Sequence, residues 1–285
     1  MTSGGPTPPA ARSATLRAGD GTRLHYHVWS APSPRAALLL SHGLGEHGGR
    51  YAPIAAALVA DGVSVFALDH RGHGRSGGQR GHIARFSRFT ADFEAFRAAV
   101  VAGLPPKLPA FVLGHSLGGL IVLRWLQAHP AAPVRGTILS APLLGVAIQA
   151  PRVKLALAGT LSRFLPRLPI RSEIDASDLS SDVAYVRSYR DDPLVHSRIT
   201  PRLYTEMMAA IDFALADPVT PNPALFLIPG VDRVVDERAV AAYAARLPGD
   251  VEVRHYPELR HEPLNDTARA VVVADVQAWI RGKLP

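Results

Sequence analysis

Leu113, Gly114, His115, Ser116, Leu117, Gly118 and Gly119 form a GxSxG motif directly after a short apolar run and directly before a helical pattern. A serine hydroxyl is a weak nucleophile until a base takes its proton. Held on a sharp strand-to-helix turn, it projects above the sheet edge, and glycines on either side let strand and helix approach closely. The helix N-terminus then offers the Leu117 amide to a developing oxyanion. The chemistry implied is acyl transfer through a covalent serine ester.

An acid and a base must complete that arrangement, and on such an elbow they follow in the order serine, acid, histidine. Twelve histidines compete. His25, His27, His42, His70 and His73 precede Ser116, His255 falls inside a strand pattern, and His129 and His196 fall near a helix end and in a helical insert. His261, in the segment LRHEPLN, follows the last apolar run by a short loop and precedes the last helix, where the base belongs. The acid should end the run 224–228, and the next residues read PGVDRVVD. Asp232 is preferred. Asp236 is the rival, but it opens an apolar helical pattern as a helix N-cap does. A second oxyanion donor should come from the glycine-rich loop 41–49 (SHGLGEHGG), where we choose the Leu44 amide. His42 is read as holding that loop by hydrogen bonds.

The elements that must position these residues are legible in the hydrophobic pattern. Apolar runs at 36–40, 63–68, 110–113, 136–139, 224–228 and 251–256 predict strands covered on both faces. Helical patterns at 51–60, 87–102, 117–128, 236–247 and 264–282 alternate with them. The predicted fold is α/β, a mostly parallel central sheet flanked by helices, with an antiparallel strand at 21–29 in front. Residues 1–14 have little to bury and are expected to be a mobile tail. The core is expected at 15–144 and 221–285. Between them, 145–220 carries helical patterns broken by prolines and no convincing strand, and it emerges at the carboxyl ends of the strands, where α/β sheets place ligands. It is read as a helical cap.

Composition narrows the alternatives. With 285 residues, 47% of them hydrophobic, the chain can bury a large core, which excludes a wholly disordered protein. It contains no cysteine, so thiolate nucleophiles, disulfides and cysteine-ligated zinc are excluded. The formal net charge is +7, but lysine occurs only at Lys107, Lys154 and Lys283 and the arginines are scattered, unlike a nucleic-acid binder with clustered charge and stacking aromatics. The HRGHG turn at His70 to Gly74 is read as structural, since no carboxylate cluster accompanies it. No apolar run reaches bilayer length and the N-terminus lacks the apolar stretch of a signal peptide, so the expectation is a cytoplasmic protein.

Taken together, HGLGEHGGRY at 42–51, DHRGHGRSGG at 69–78, GHSLGG at 114–119, LSAPLL at 139–144, GVDRVVD at 230–236 and RHEPLND at 260–266 resemble the monoacylglycerol lipase and lysophospholipase family of serine α/β-hydrolases. The resemblance runs from about residue 15 to the C-terminus. It implies a triad of Ser116, Asp232 and His261, oxyanion amides at Leu44 and Leu117, a helical cap forming an apolar acyl tunnel, and Glu46 and Arg50 near the polar head-group pocket. Glu46 and Arg50 read equally as a local ion pair fixing the loop. Animal members carry a further histidine three residues after the catalytic one; here that position is Leu264.

The expected activity is hydrolysis of monoacylglycerols to glycerol and fatty acid, without a cofactor. Lysophospholipases, thioesterases and acyltransferases share the acyl half-reaction, whereas epoxide and haloalkane hydrolases need a carboxylate where Ser116 stands. A non-catalytic relative should lack a triad member, and none is missing. In the cap, Val153, Leu157, Leu161, Phe164 and Leu165 form one helical stripe, and the charged residues from 145 to 171 are Arg152, Lys154, Arg163, Arg167 and Arg171, all positive. Such a stripe suits peripheral contact with an anionic membrane. The alternative is that it packs inward as the lid of the tunnel.

Overall fold

Strands buried on both faces need two helical layers, and the chain supplies them on either side of one twisted sheet. The computed structural model describes residues 11–147, 152–172, 174–219 and 223–285, and the side chains of 152–156 fall outside that description. The strands are β1 (Arg12–Arg17), β2 (Arg23–Trp29), β3 (Ala36–Ser41), β4 (Val63–Asp69), β5 (Ala110–His115), β6 (Gly136–Ser140), β7 (Ile170–Arg171), β8 (Arg198–Ile199), β9 (Ala224–Pro229) and β10 (Val251–Tyr256). The helices are α1 (Ala52–Ala60), α2 (Ser87–Ala102), α3 (Leu117–Ala128), α4 (Arg152–Phe164), α5 (Ala176–Leu179), α6 (Val183–Asp191), α7 (Pro201–Ala216), α8 (Glu237–Arg246) and α9 (Arg269–Lys283).

Eight strands form the main sheet in the order β1-β2-β4-β3-β5-β6-β9-β10. β1 and β2 are antiparallel to their neighbours, and the other pairs are parallel. Alternate residues of each strand enter opposite cores, as a two-residue period requires. Leu39, Val112 and Phe226 join the core beneath α2, α3, α7 and α8, while Leu38, Leu40, Phe111, Leu113 and Leu225 join that beneath α1 and α9. Each such fully buried side chain contributes about 1.5–3 kcal/mol.

Several expectations are corrected. The 1–14 tail is too long: β1 begins at Arg12, paired with Val28, because the antiparallel partner supplies contacts that the polar-looking RSATLR does not advertise. Residues 1–10 lie outside the described residues. The last helix starts at Arg269, since Pro263–Asn265 forms a separate 3-10 turn. The insert holds two short strands after all, β7 and β8, paired antiparallel. Its last helix, α7, sends Leu203, Ala210, Ile211 and Ala214 into the main core, so the layer above the sheet edge is built by α4 to α6 and the β7–β8 pair.

Candidate active site

The turn from β5 to α3 sets the site. Ser116 has φ 52° and ψ −119°, a left-handed backbone that a non-glycine residue adopts only where its surroundings enforce it. Enforcement comes from crowding at Gly118, where a Cβ would lie 2.0 Å from the Ser41 carbonyl oxygen. The helix N-terminus is thereby pressed against the end of β3, and Leu117, its first residue, has one of the amides that no helical carbonyl reaches.

His261 bridges the two other predicted residues. Its Nδ1 lies 2.8 Å from Asp232 Oδ2, and its Nε2 lies 2.9 Å from Ser116 Oγ. Asp232 is itself fixed, because its Oδ1 accepts the Val234 and Val235 amides at 2.8 and 2.9 Å. An acceptor on Nδ1 leaves Nε2 free to accept the serine proton. Burial alone would lower the His261 pKa, but the charge and hydrogen bond of Asp232 outweigh it and hold the imidazole above its ordinary value. Asp236 instead caps α8, accepting the Arg238 amide at 3.0 Å.

The loop after β3 closes the site from the other side. Gly43, Leu44 and Glu46 line a cavity of about 270 Å³ that also contains Ser116, His115 and His261. His42 accepts the His70 amide on Nε2 at 3.0 Å and donates from Nδ1 to the Gly43 carbonyl at 2.7 Å, the loop-holding role expected of it. Glu46 is buried, and its Oε1 accepts the Gly43 amide at 2.6 Å and the Tyr51 hydroxyl at 2.9 Å. Burial, with Glu262 nearby, pushes its carboxyl up to about 8.

Arg50 stands apart from the cavity wall. Its guanidinium lies 4.6 Å from the ring centroids of both Tyr185 and Tyr189, 3.5 Å from Asp192 and 4.0 Å from Glu46. The pair with Glu46 is thus long; the closer partners are Asp192 and the Tyr185 hydroxyl, to which Arg50 Nε donates at 3.3 Å, both from the cap. Leu264 is a core side chain, packed on the face of α1 and α9.

The cavity departs from the expected apolar tunnel. Among the described residues, Ile174, Leu179, Val195 and Val234 share its walls with Arg171, Arg190 and Arg198. Sequence reasoning also missed Glu262, which lines the cavity and accepts from Tyr185 and Asn265; its only sequence signal is its place beside His261.

His25, His27 and Asp69 were not grouped from sequence either, yet their donor atoms lie within 4.8 Å of one another. Asp69 accepts His25 Nδ1 and the Gly48 and Arg75 amides, with His27 Nε2 at 3.3 Å. Three donors around one buried carboxylate, with His27 beside them, describe a structural anchor beneath the loop that carries Leu44.

Residues 32–268 match the family described as serine aminopeptidase, S33. A monoacylglycerol lipase of Mycolicibacterium smegmatis is 34% identical, across 91% of this chain and 93% of its own. The monoglyceride lipase of Rattus norvegicus is 30% identical, across 93% and 89%. Among solved structures, the monoacylglycerol lipase of Paleococcus ferrophilus superposes with a TM-score of 0.79 at 28% identity, covering 91% of this chain and 99% of that one.

Proposed function

The chain belongs to the serine aminopeptidase S33 family of α/β-hydrolases and is a serine ester hydrolase of the monoacylglycerol lipase kind, and from that premise we propose that it cleaves monoacylglycerols, releasing glycerol and a fatty acid, through Ser116, His261 and Asp232. The observation that carries the reading is the single imidazole bonded at 2.9 Å to a serine hydroxyl and at 2.8 Å to a buried carboxylate.

Ser116 Oγ attacks the ester carbonyl carbon as its proton passes to His261 Nε2. Asp232 keeps Nδ1 protonated and stabilises the imidazolium. The carbonyl oxygen becomes an oxyanion, which the Leu44 and Leu117 amides receive. Collapse breaks the bond to the alcohol, which leaves with the proton from Nε2, and the acyl group stays on Ser116. Water then attacks the acyl-enzyme with His261 again as base, freeing the acid and the serine. Glu46 meets the glycerol end at the cavity wall, and Arg50 acts behind it by holding the loop.

The outer face of the cap supports a lipid surface as the place where substrate is found. Leu157 and Phe164 of α4 are exposed, as are Leu165, Leu168 and Ile170 beyond its end, whereas Leu161 is half-buried and Ser162 turns inward to Thr205 at 2.8 Å. Three of the five stripe residues thus face outward, which supports the surface reading; Val153 lies outside the described side chains. Arg163, Arg167 and Arg171 flank it. Among the described residues no helix is long and apolar enough to cross a membrane.

The test is fluorophosphonate labelling followed by peptide mass spectrometry, together with hydrolysis of monoacylglycerols of varied chain length. Label on Ser116 and loss of hydrolysis in Ser116→Ala are expected. Label on another serine, or wild-type rates in Ser116→Ala, would overturn the assignment.

A further inference from the structure

β10 is an open edge of the eight-stranded sheet, and alone among the parallel strands of that sheet it has no buried residue. The backbone groups of successive strand residues point in alternate directions. At the two ends of β10, the Ala224 amide donates to the Asp250 carbonyl and the Gly230 amide to the Tyr256 carbonyl, both at 2.9 Å. Asp250, Glu252, Arg254 and Tyr256 therefore turn their backbone groups toward β9, and Val251, Val253 and His255 turn theirs away from the sheet. The Val251 amide bonds back to Gly249 at 3.1 Å, and among the described residues no other strand reaches this side. Val253, at the middle, is 43% exposed. A row of unpaired outward groups is a template for another strand.

The side chains decide which strand fits. A second copy of β10 related by a twofold axis runs antiparallel, and outward-turned residues must meet outward-turned residues. An axis through Glu252 or through Arg254 sets that residue opposite its own copy, acid on acid or arginine on arginine. An axis through Val251 sets Asp250 opposite Glu252. An axis through His255 sets Val253 opposite Pro257, which has no N–H to donate. An axis through Val253 avoids all of these conflicts: Val253 meets its own copy, Val251 meets His255, and Glu252 meets Arg254.

In that register the two Val253 residues exchange both backbone hydrogen bonds, and the Glu252 and Arg254 pairs on either side bring their Cα atoms to about 4.5 Å. Within one chain Arg254 Nη2 donates to Glu252 Oε2 at 3.1 Å, and Lys283 Nζ of α9 lies 3.3 Å from Glu252 Oε1. Glu252 and Arg254 thus stand together on the α9 face, and pairing closes two acids and two arginines into a square of alternating charge. The opposite edge, β1, offers nothing similar, since it carries Arg12 and Arg17 and no acid.

The geometry points to a symmetric dimer of this chain, built by antiparallel pairing of β10 about Val253 and continuing one sheet through both copies. Contact along a six-residue strand lies at the small end of specific interfaces, so the dimer is reversible, with a Kd on the order of 10 µM. The pairing also braces the strand that leads into the loop of His261.

The experiment is sedimentation equilibrium of the full chain from about 1 to 200 µM in about 0.15 M salt, where screening beyond about 8 Å limits repulsion between two chains of net charge +7. The average mass should rise from one chain toward two. Glu252→Arg and Arg254→Glu each set like charges opposite each other in both pairs, and each should weaken association at least about tenfold. Val253→Pro removes an outward N–H while leaving the bonds to β9, and it should do the same. An equimolar mixture of the Glu252→Arg and Arg254→Glu chains restores opposite charges in both pairs and should associate as the wild type does, which misfolded chains could not. A wild type that stays one chain at 200 µM, or a dimer that survives in both charge variants, overturns the proposal. So does a mixture that stays monomeric while each of its two chains still unfolds cooperatively in urea.

Discussion

Glu46 Oε1 holds the Gly43 amide at 2.6 Å, so a carboxyl group beside the nucleophile fixes the peptide that leads into Leu44. Glu46→Ala should lower the kcat for nitrophenyl butyrate by roughly 10- to 100-fold, somewhat less than outright loss of an oxyanion donor. With its carboxyl pushed up to about 8, Glu46 is mostly neutral at pH 7. A glutamine oxygen can then accept the same two bonds, and Glu46→Gln should stay within a few-fold of wild type. Equal damage in both variants would show that the negative charge is needed.

The acid is decided by a paired substitution. Asp232→Asn should lower kcat/KM by roughly 10⁴-fold, because the amide cannot stabilise the imidazolium and favours the wrong tautomer. Asp236→Ala removes only the N-cap of α8, costing about 1 kcal/mol in a urea titration with little effect on rate. The reverse ranking in steady-state kinetics would move the acid to Asp236.

Activity against pH reports His261. Its neutral form is the base, so kcat/KM should fall as pH drops through its pKa, and Asp232 holds that pKa above the ordinary histidine value of about 6.5. The acid limb for a soluble ester should therefore have its midpoint above about 6.5. A wild-type midpoint below that value would contradict net stabilisation of the imidazolium by Asp232.

Asp69 should matter to stability. Burial would raise its pKa, but the hydrogen bond from His25 and the neighbouring His27 hold it well below the usual carboxylate range. A depressed folded-state pKa means that the stabilisation is present above the unfolded value of about 3.9 and is lost as pH falls below it. Asp69→Asn should cost about 1.5–3 kcal/mol at pH 7, the usual worth of hydrogen bonds to a charged group. In urea unfolding, the wild-type advantage over this variant should shrink on acidification below about pH 4. An undiminished advantage there would rule out the ionised carboxylate as its source.

The outward stripe of α4 predicts adsorption to anionic vesicles. Sedimentation at low salt should capture the wild type more than Arg163→Glu or Phe164→Ser, and raised salt should release it, since each basic residue near such a surface adds about 1 kcal/mol at most. Equal and negligible sedimentation with neutral and anionic vesicles would leave the cap without a membrane role.

The parts of this molecule that could be read in advance are those whose cause is local. Strands β3 to β6 and β9 announce themselves as apolar runs because both faces are covered, and Ser116 and Asp232 follow two of them. His261 follows β10, an edge strand with no buried residue, so the expectation that 251–256 is covered on both faces does not hold. β1 was illegible because its charged ends are stabilised by pairing with β2. Two-residue strands such as β7 and β8 have no period to detect. The surroundings of Arg50 were hidden for another reason: Tyr185 and Tyr189 lie far along the chain, in a helix whose aromatic positions look like any amphipathic spacing. Arg171 and Arg198 likewise look like scattered charges until the register sets them opposite each other.

Gly45 and Gly81 carry a consequence for the inheritance of this architecture. Both have left-handed backbones, with φ of +81° and +66°, and a Cβ would lie 2.4 and 2.0 Å from the carbonyls of His196 and Arg198. The cap segment thus lies in a groove made by side chains that the core does not have. Cap and core are not interchangeable modules. A cap grafted from a relative would need to seat its own main chain on these two glycines, and a core that gained a side chain at either one would lift the cap off the loop that carries Leu44. Drift in cap sequence, and with it substrate range, is therefore free at the outer helices and constrained along residues 196–200.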